Sequence, residues 1–279
     1  MGTIRSYNTP EILKPLLKWA GGKRWFVQKY YHVLKTFKEY RIVEPFAGGM
    51  ALSLGIAPQQ ALINDINPHL INLYIQIKKK KFKLPTEILL TKNFYYKTRD
   101  DFNDLILNKK IQTLKAAQLF WILNRIGYNG LCRFNQQGFF NTPFGYYQKI
   151  STDFDIKSYS EIFENWTFTD SSFNHLEIKS GDFVFCDPPY DHGWRAYTKE
   201  SFDFDSQIEL AKWVKSLGVP VLMTNHATKK IKELYGDLGF ELSYTLAPRT
   251  ISADAQKRKP CEEIIATHNF SWKQILKRL

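Results

Sequence analysis

The stretch at residues 183–190 constrains the fold of this chain most, because an apolar run ends there in an acid and two prolines. A short apolar run after a Ser-Gly-Asp turn is typical of a buried strand. Pro188 and Pro189 donate no backbone hydrogen bond and fix their own φ, so the strand must end before them. In open α/β sheets, ligands bind beyond the carboxyl ends of the strands. We therefore expect residues 187–190 to line a binding site.

The residue types at this point suit a flat substrate that carries an amino group. The Asp187 carboxylate and the Pro188 carbonyl can only accept hydrogen bonds, and the Tyr190 ring offers a face for stacking. Two acceptors on an NH2 group would free the nitrogen lone pair and stabilise the positive charge that develops during attack. The stretch therefore predicts a site for an amino-bearing nucleobase whose nitrogen reacts. The alternative is a strand followed by a proline turn, with Tyr190 as a packing residue.

A strand, a glycine turn, a helix and a second strand follow one another earlier in the chain. Residues 42–43 form a short apolar run, Gly48 and Gly49 make the turn, and the second strand ends at Asp65. An acid at this distance usually accepts hydrogen bonds from ribose hydroxyls. The spacing is not that of the dinucleotide fingerprint. The unit predicts an adenosine site without a pyrophosphate, and S-adenosylmethionine fits that description.

Further residues are predicted to contact this cofactor. Gly21-Gly22 permits a close backbone approach next to Trp19, and Lys23 supplies a positive charge for a carboxylate. Phe46 flanks the short glycine turn, and Asp170 follows another short strand, where it is placed to accept from an adenine amino group. The alternative for residues 21–22 is a plain turn before a helix.

The charge of the chain favours a polyanionic partner. Its 39 Lys and Arg residues against 27 Asp and Glu residues give a net charge of +12 over 279 residues, which is above the usual range for a small domain and suits nucleic acid. Cys132, Cys186 and Cys261 have neither zinc nor disulfide spacing, so we expect no metal and a cytoplasmic location. No segment has the length of a membrane span or the core of a signal peptide.

Residues 68–159 interrupt the strand–helix alternation and are predicted to be a mostly helical insertion that reads DNA. Its second half is rich in Asn, Gln, Arg, Gly and aromatic residues, and Asn129-Gly130 is a hairpin signal. Such side chains bond base edges, grip phosphates or wedge between bases. The candidate DNA-binding residues are Arg125, Asn129, Arg133, Asn135 and Asn141, with Arg249 in a basic loop near the C-terminus. The alternative for this half is a plain polar β-hairpin.

Taken together and in this order, the motifs resemble the Dam-like DNA adenine-N6 methyltransferases, group α of the amino-methyltransferases, over nearly the whole chain. The matching segments are residues 18–23, 44–49, 64–67 and 187–190, with residues 125–145 similar to the target-recognition hairpin and residues 249–252 to the C-terminal loop. The resemblance implies that Trp19, Lys23, Asp65 and Asp187 bind S-adenosylmethionine. It also implies that residues 187–190 hold an adenine that has left the base stack.

The fold that the resemblance implies is an α/β, Rossmann-like, S-adenosylmethionine-dependent methyltransferase core with an inserted target-recognition domain that carries a β-hairpin. Residues 1–67 and 160–279 would form the catalytic domain, and residues 68–159 the DNA-binding domain. The expected reaction is site-specific methylation of adenine N6 in double-stranded DNA, in a bacterial or phage context. A cognate restriction endonuclease is a further expected partner, and an orphan role is the alternative.

Two departures from the family pattern affect this interpretation. Met50 stands where the family usually has a further glycine, and the stretch after Tyr190, which contains Trp194, Arg195 and Tyr197, is shorter than in the family. Three alternatives stay open at this point, because residues 187–190 suit any aromatic amine and Met50 is a possible sign of a degraded glycine loop. They are methylation of the cytosine amino group, methylation of adenine in RNA, and a DNA-binding protein that has lost catalysis through a degraded glycine loop.

Overall fold

A computed structural model describes residues 13–190, 202–248 and 260–278. The strands are β1 (Arg41–Glu44), β2 (Ala61–Asn64), β3 (Trp166–Thr169), β4 (Asp182–Cys186), β5 (Val221–His226), β6 (Glu241–Ala247) and β7 (Cys261–His268). The α-helices are α1 (Arg24–Leu34), α2 (Ala51–Ile56), α3 (Pro68–Lys78), α4 (Lys92–Leu107), α5 (Leu114–Ile126), α6 (Ile156–Ile162), α7 (Phe204–Ser216), α8 (Lys229–Asp237) and α9 (Trp272–Arg278). Short 3₁₀ turns lie at Lys35–Phe37, Tyr128–Gly130, Phe163–Asn165 and Phe173–His175. None of the helices in these ranges has both the length and the apolar character needed to cross a membrane.

The described strands form one mixed sheet in the order β3-β2-β1-β4-β5-β7-β6. The pairs from β3 to β5 are parallel, and β7 runs antiparallel between β5 and β6. The direction in which successive strands are added reverses between β1 and β4, and such a switch point opens a crevice at the carboxyl ends of the strands. The predicted Rossmann-like core is therefore confirmed.

The two faces of the sheet are both covered, which explains why β1 and β4 are continuous apolar runs. Ile42 and Phe185 face α1, where Phe185 stacks on Phe26 at 6.2 Å between ring centroids. Val43 and Val184 face the opposite side, in the cluster that contains the buried residues of α7 and α8. Because both layers pack on the central strands, the carboxyl ends of β1 and β4 are held side by side.

The region at residues 68–159 is mostly helical, but its core is continuous with that of the sheet. Trp121 of α5 and Tyr74 of α3 belong to the same buried cluster as Phe183 of β4. The described structure therefore has no packing boundary at residue 68 or 159. The division into a catalytic and a DNA-binding domain stays a prediction.

The hairpin signal at Asn129-Gly130 was wrong in its position. Both residues have positive φ, 52° and 63°, but they lie in the 3₁₀ turn that follows α5. The antiparallel bridge pairs Phe134 with Phe140, so the tight turn lies further along the chain. Gly130 has a packing reason to be glycine, since a Cβ there would lie 2.2 Å from the Lys18 Cβ. The dipeptide favours positive φ in any tight turn and does not by itself specify a hairpin.

The contact between α1 and α2 gives a stability prediction. A Cβ on Gly55 would lie 2.4 Å from Val27 Cγ1, whereas a Cβ on Gly236 of α8 meets nothing within 4 Å. We expect Gly55→Ala to overpack this contact and lower the free energy of unfolding by about 1–3 kcal/mol. Gly236→Ala is the matched control and should raise it by up to about 1 kcal/mol, because alanine is the better helix former. Urea unfolding followed by circular dichroism measures both, and equal effects would contradict the predicted crowding.

Candidate active site

Asp187 is the first residue beyond β4, at the switch point of the sheet. Its Oδ1 accepts a hydrogen bond from Thr224 Oγ1 at 2.8 Å and lies 2.8 Å from Lys23 Nζ. Within the described ranges, no hydrogen bond reaches the second oxygen, Oδ2. One oxygen of Asp187 therefore fixes the side chain, and the other is placed to accept from a ligand.

Lys23 immediately precedes α1 and places a buried positive charge at Asp187. Its side chain is only 2% exposed, and Nζ donates to the Gly21 carbonyl at 3.0 Å. The same nitrogen lies 3.8 Å from Glu263 Oε2. A buried ammonium requires compensating charge because it has lost its hydration. The N-terminal motif and the 187–190 segment thus meet in a buried ion pair.

The prolines of this segment are held by α7 and β5. The Pro189 carbonyl accepts from Gln207 Nε2 at 2.7 Å, and Gln207 Oε1 accepts from Asn225 Nδ2 at 2.9 Å. No hydrogen bond from a described residue reaches the Pro188 carbonyl. The Pro188 carbonyl and Asp187 Oδ2 are therefore two neighbouring acceptors without a donor between them.

Tyr190 lies over this ion pair. Its ring packs against that of His226 with 4.3 Å between centroids, and Lys23 Nζ lies 4.7 Å from its centroid. The hydroxyl is buried and makes no hydrogen bond of ordinary geometry to the described residues. Burial, reinforced by the charges of Asp187 and Glu263, raises the pKa of Tyr190 well above its usual value, so the phenol is neutral. The segment therefore presents a neutral aromatic ring beside two acceptors.

The glycine turn after β1 is shaped by Asp65 at the end of β2. Asp65 Oδ2 accepts from the Gly48 amide at 2.9 Å, and Oδ1 accepts from the Asn67 amide at 3.0 Å. A Cβ on Gly48 would lie 2.5 Å from Trp19 Nε1, so the indole lies directly on the turn. Burial raises the pKa of Asp65 to about 6, although both amide donors oppose this shift. Trp19, Gly48 and Asp65 thus form one connected surface.

Phe46 and Asp170 complete the predicted cofactor residues on this edge of the sheet. Phe46 follows β1 and packs against Phe173 and Phe202, with centroids 5.6 and 5.5 Å away. Asp170 is exposed and directly follows Thr169, whose carbonyl accepts from the Asp65 amide at 3.2 Å. All the residues predicted to bind the cofactor therefore lie along the carboxyl ends of β1 to β4 or pack on them.

Met50 has a left-handed backbone, with φ 53° and ψ 39°, at the start of α2. This is the conformation that glycine adopts without cost, and a side chain there costs about 1–2 kcal/mol. The side chain is fully buried in the main core, and the Met50 amide still donates to the Ala47 carbonyl at 2.7 Å. Burial of an apolar side chain of this size contributes about 1.5–3 kcal/mol, which offsets the strain. The glycine turn is therefore intact with methionine in it.

The sequence reasoning missed several residues that fix the site. They are Gln207, Thr224, Asn225 and Glu263. Glu44, which opens the matching segment 44–49, fixes the glycine turn because its Oε1 accepts from the Ser53 amide at 2.8 Å. Thr224 and Asn225 had a usable signal, since they end the apolar run of β5 just as Asp187 ends that of β4. Glu263 had none, because a glutamate at the start of a strand is usually solvated.

The candidate DNA-binding residues have different surroundings. Asn135 Oδ1 caps the tight turn by accepting from the Gln137 and Phe139 amides, and Arg133 Nε donates to Asn141 Oδ1 at 2.9 Å. Asn135 and Asn141 also line a surface cleft of about 360 Å³ against α4. These three side chains are partly exposed, so a role in contacting DNA stays a prediction for them.

Arg125 is different, because its contacts are internal. It is 6% exposed, its Nη2 donates to the Ser151 carbonyl at 2.7 Å, and its carbonyl accepts from Lys18 Nζ at 2.8 Å. In this conformation the side chain anchors the chain after the hairpin and does not face solvent. Asn129 is partly exposed in the 3₁₀ turn. Arg249, Trp194, Arg195 and Tyr197 lie outside the described residues.

Comparisons with known proteins support one family. The model of the D12 class N6 adenine-specific DNA methyltransferases matches residues 19–251. The Retron Ec67 DNA adenine methylase of Escherichia coli is 35% identical over 266 residues, which is 91% of each chain. The Type II methyltransferase M1.LlaDCHI of Lactococcus lactis subsp. cremoris is 34% identical, over 92% of this chain and 95% of that protein.

Solved structures are also similar, at low identity. The structure of Thermoplasma acidophilum 1320 covers 88% of each chain with a TM-score of 0.40 and 10% identity. The magnesium protoporphyrin IX methyltransferase of Synechocystis PCC 6803, solved with bound SAM, covers 88% of this chain and 79% of its own, with a TM-score of 0.37 and 9% identity. Within the described ranges, no cluster of His, Cys, Asp and Glu is arranged to hold a metal ion.

The surroundings of Met50 give a second stability prediction. Met50→Gly relieves the left-handed strain but leaves a cavity, and truncating a buried methionine costs about 2–5 kcal/mol. We expect a net loss of about 1–3 kcal/mol in the free energy of unfolding. Ala57→Gly is the matched control, because Ala57 also has positive φ, 45°, but little side chain to lose. It should gain up to about 1 kcal/mol. A Met50→Gly protein more stable than wild type in urea unfolding would contradict the packing argument.

Glu44 gives a prediction about pH. Burial raises the pKa of Glu44 to about 7 from its ordinary value of 4.5, so the folded state holds this proton more tightly than the unfolded state. Its contribution to stability is therefore present at low pH and is lost as the pH rises through about 7. Glu44→Gln removes the titration and keeps an acceptor for the Ser53 amide. We expect the variant to gain stability relative to wild type between pH 5 and pH 8. Urea unfolding at both pH values measures this, and a difference independent of pH would contradict it.

Proposed function

This chain belongs to the D12 class N6 adenine-specific DNA methyltransferases, and we propose that residues 187–190 hold the reacting adenine while Trp19, Lys23 and Asp65 hold the cofactor. The enzyme transfers a methyl group from S-adenosylmethionine to the N6 amine of adenine in DNA. The observation that carries the proposed assignment is the arrangement of Asp187, with one oxygen fixed by Lys23 and Thr224 and the other open. The family assignment supports adenine in DNA as the substrate over the cytosine, RNA and non-catalytic alternatives.

The charges along this edge fit S-adenosylmethionine. In the described part of the chain, carboxyl groups outnumber Lys23 there: Glu44, Asp65, Asp170, Asp187 and Glu263. The pKa values of Glu44, Asp65 and Glu263 are raised to about 7, about 6 and about 7, so these three carry their charge above that pH range. A phosphate-bearing cofactor would be repelled by them, whereas S-adenosylmethionine has a net positive charge and no phosphate. Lys23 is the group suited to its carboxylate, and Asp65 to its ribose. When bound, the cofactor supplies an electrophilic methyl group on a sulfonium.

Asp187 and the Pro188 carbonyl are proposed to accept the two hydrogens of the adenine NH2 group. The amine is a weak nucleophile because its lone pair is delocalised into the ring. Two acceptors favour a pyramidal nitrogen and stabilise the positive charge that forms on it during attack. Lys23 and Thr224 hold Asp187 in place before the substrate arrives, so most of the rate comes from positioning. The surplus proton leaves after attack, so Asp187 acts as an acceptor of hydrogen bonds and not as a strong base.

The reacting adenine is proposed to reach this pocket by leaving the duplex. Its amino group is occupied by pairing inside double-stranded DNA, so the base must be extruded to place N6 at Asp187. Tyr190 then provides the stacking surface. The partly exposed residues Arg133, Asn135 and Asn141 are proposed to contact DNA, together with Asn129 and Arg249. Arg125 is proposed to act there only indirectly, by anchoring the chain next to them.

The names of the relatives support two proposals for the biological setting. Two relatives are named Type II methyltransferases, which supports a cognate restriction endonuclease acting at the same sequence as a partner. Others are named DNA adenine methylases, which supports an orphan role instead. A cytoplasmic location, for a bacterial or phage-encoded protein, is proposed from the DNA substrate and is supported by bacterial and phage relatives. Cleavage of unmethylated host DNA by a neighbouring gene product would favour the restriction–modification setting.

The proposed roles predict different kinetic effects for substitutions of Asp187 and Asp170. Asp187→Ala should lower kcat on the order of 10²–10³-fold, because it removes an acceptor used in the transition state, while DNA binding is kept. Asp170→Ala should instead raise KM for S-adenosylmethionine and leave kcat within about twofold, because its role is in binding. Steady-state kinetics with labelled S-adenosylmethionine measure both. Undiminished turnover by Asp187→Ala would overturn the mechanism.

The activity itself is tested by methylating unmodified genomic DNA with labelled cofactor and analysing the nucleosides. N6-methyladenine at one short sequence is the expected result and reveals the recognition site at once. Label in N4-methylcytosine, or no label despite DNA binding, would refute the assignment.

A further inference from the structure

We propose that Glu263 is a positioning residue of the methyl-transfer site, which acts by holding the buried ammonium of Lys23 against Asp187. The proposal rests on the proposed function of Asp187 and extends it to a residue on a distant strand. Glu263 lies near the start of β7 and pairs with His226 at the end of β5. Because β7 is antiparallel, its start lies at the carboxyl edge of the parallel strands, where the site is.

The contacts of Lys23 require a second carboxylate. Its ammonium donates to Gly21 and Asp187 at 3.0 and 2.8 Å and has Glu263 Oε2 at 3.8 Å as a further partner. Asp187 Oδ1 is shared with Thr224, so Lys23 does not have that oxygen to itself. The Lys23 and Glu263 side chains are 2% and 6% exposed. At this burial an ion pair is weakly screened, and the loss of one partner displaces the other.

Glu263 is also connected to Tyr190. The buried Glu263 Oε2 and the buried Tyr190 hydroxyl both make no hydrogen bond of ordinary geometry within the described ranges. Both groups surround the same ammonium, since Lys23 Nζ lies 4.7 Å from the centroid of the Tyr190 ring and 3.8 Å from Glu263 Oε2. A buried oxygen without a hydrogen bond is unfavourable, and a small shift that lets the phenol donate to the carboxylate would satisfy both groups. Glu263 is therefore placed to fix the stacking ring as well as the ammonium.

The adjacent residue provides a matched control. Glu262 is on the same strand but faces the opposite side, where it is 49% exposed and pairs with Lys232 at 2.8 Å. Glu262→Gln and Glu263→Gln make the same chemical change one residue apart. An exposed pair of this kind contributes little to stability. A difference in kcat between the two variants therefore reports the buried position.

The expected effect is on kcat. Glu263→Gln should lower kcat on the order of 10–100-fold through misplacement of Asp187, with KM for DNA nearly unchanged, and Glu262→Gln should match wild type. Glu263→Asp, which keeps the charge, should retain more activity than Glu263→Gln. A Lys23→Met background should lose nothing further from Glu263→Gln if Glu263 acts through Lys23. Additive losses in that double variant would overturn the proposal.

The pH dependence of kcat distinguishes this positioning role from a purely structural one. Burial is the largest cause of the rise in the pKa of Glu263 to about 7, and Asp187 adds to it while Lys23 and Tyr190 oppose it. The charged and titratable groups around Glu263 lie on several elements. They are Lys23, Asp187, Tyr190, His226 on β5 and Glu262 on β7. Lys29 is also near, since it donates to Thr245 of β6, which pairs with Glu263. The ionised form holds Lys23, so kcat of wild type should rise as the pH increases through about 7. Glu263→Gln should lose this component of the pH dependence of kcat, and Glu262→Gln should keep it.

The closing experiment measures kcat from pH 5.5 to 8.5 for wild type, Glu262→Gln, Glu263→Gln and Glu263→Asp, with thermal melts alongside. Wild type without any N6-methyladenine product would refute the proposed function itself. An active wild type with Glu263→Gln equal to Glu262→Gln in rate and pH profile would refute the role of Glu263 alone. A loss in Glu263→Gln that follows only its melting temperature, with Glu263→Asp no better, would also refute it.

Discussion

The ion pair of the buried Lys23 and the partly exposed Asp187 depends on strand order and, in turn, determines the geometry of the site. Lys23 comes before the first helix and Asp187 after the fourth strand, yet Nζ and Oδ1 are 2.8 Å apart. They meet because β4 pairs with β1 and leaves the sheet beside the layer that α1 covers. Since a desolvated ion pair is favourable only with good geometry, the surrounding contacts from Gly21, Thr224 and Glu263 are part of the same requirement.

The local motifs predicted that these acids lie near one another, because each motif ends a strand. Asp65, Asp170 and Asp187 each directly follow a short strand, and parallel strands bring their carboxyl ends to one edge. What joins them depends on long-range packing and could not be predicted in this way. Glu262 and Glu263 are identical in sequence terms, and only the pairing of β7 with β5 determines which one is buried.

Residues 125–145 show the same limit, because local sequence does not predict how packing orients a side chain. Arg125 was assigned to DNA because its neighbourhood has the composition of a DNA-reading loop, but composition does not determine which side of α5 a residue occupies. The helix places the arginine inward, against the Ser151 carbonyl. Met50 is the converse case. It departs from the family pattern, but burial of its side chain offsets the cost of its left-handed backbone.

The distribution of charge explains why the base and the phosphates must be separated. The chain as a whole has a net charge of +12, but the described edge around Asp187 carries more carboxylates than cations. A DNA backbone would be repelled from that edge and attracted by the excess of Lys and Arg elsewhere in the chain. An uncharged base enters such a pocket at a lower cost than a phosphate does. The proposed extrusion of adenine from the duplex would meet both requirements, since it would leave the phosphates outside and place an uncharged amine among the acceptors.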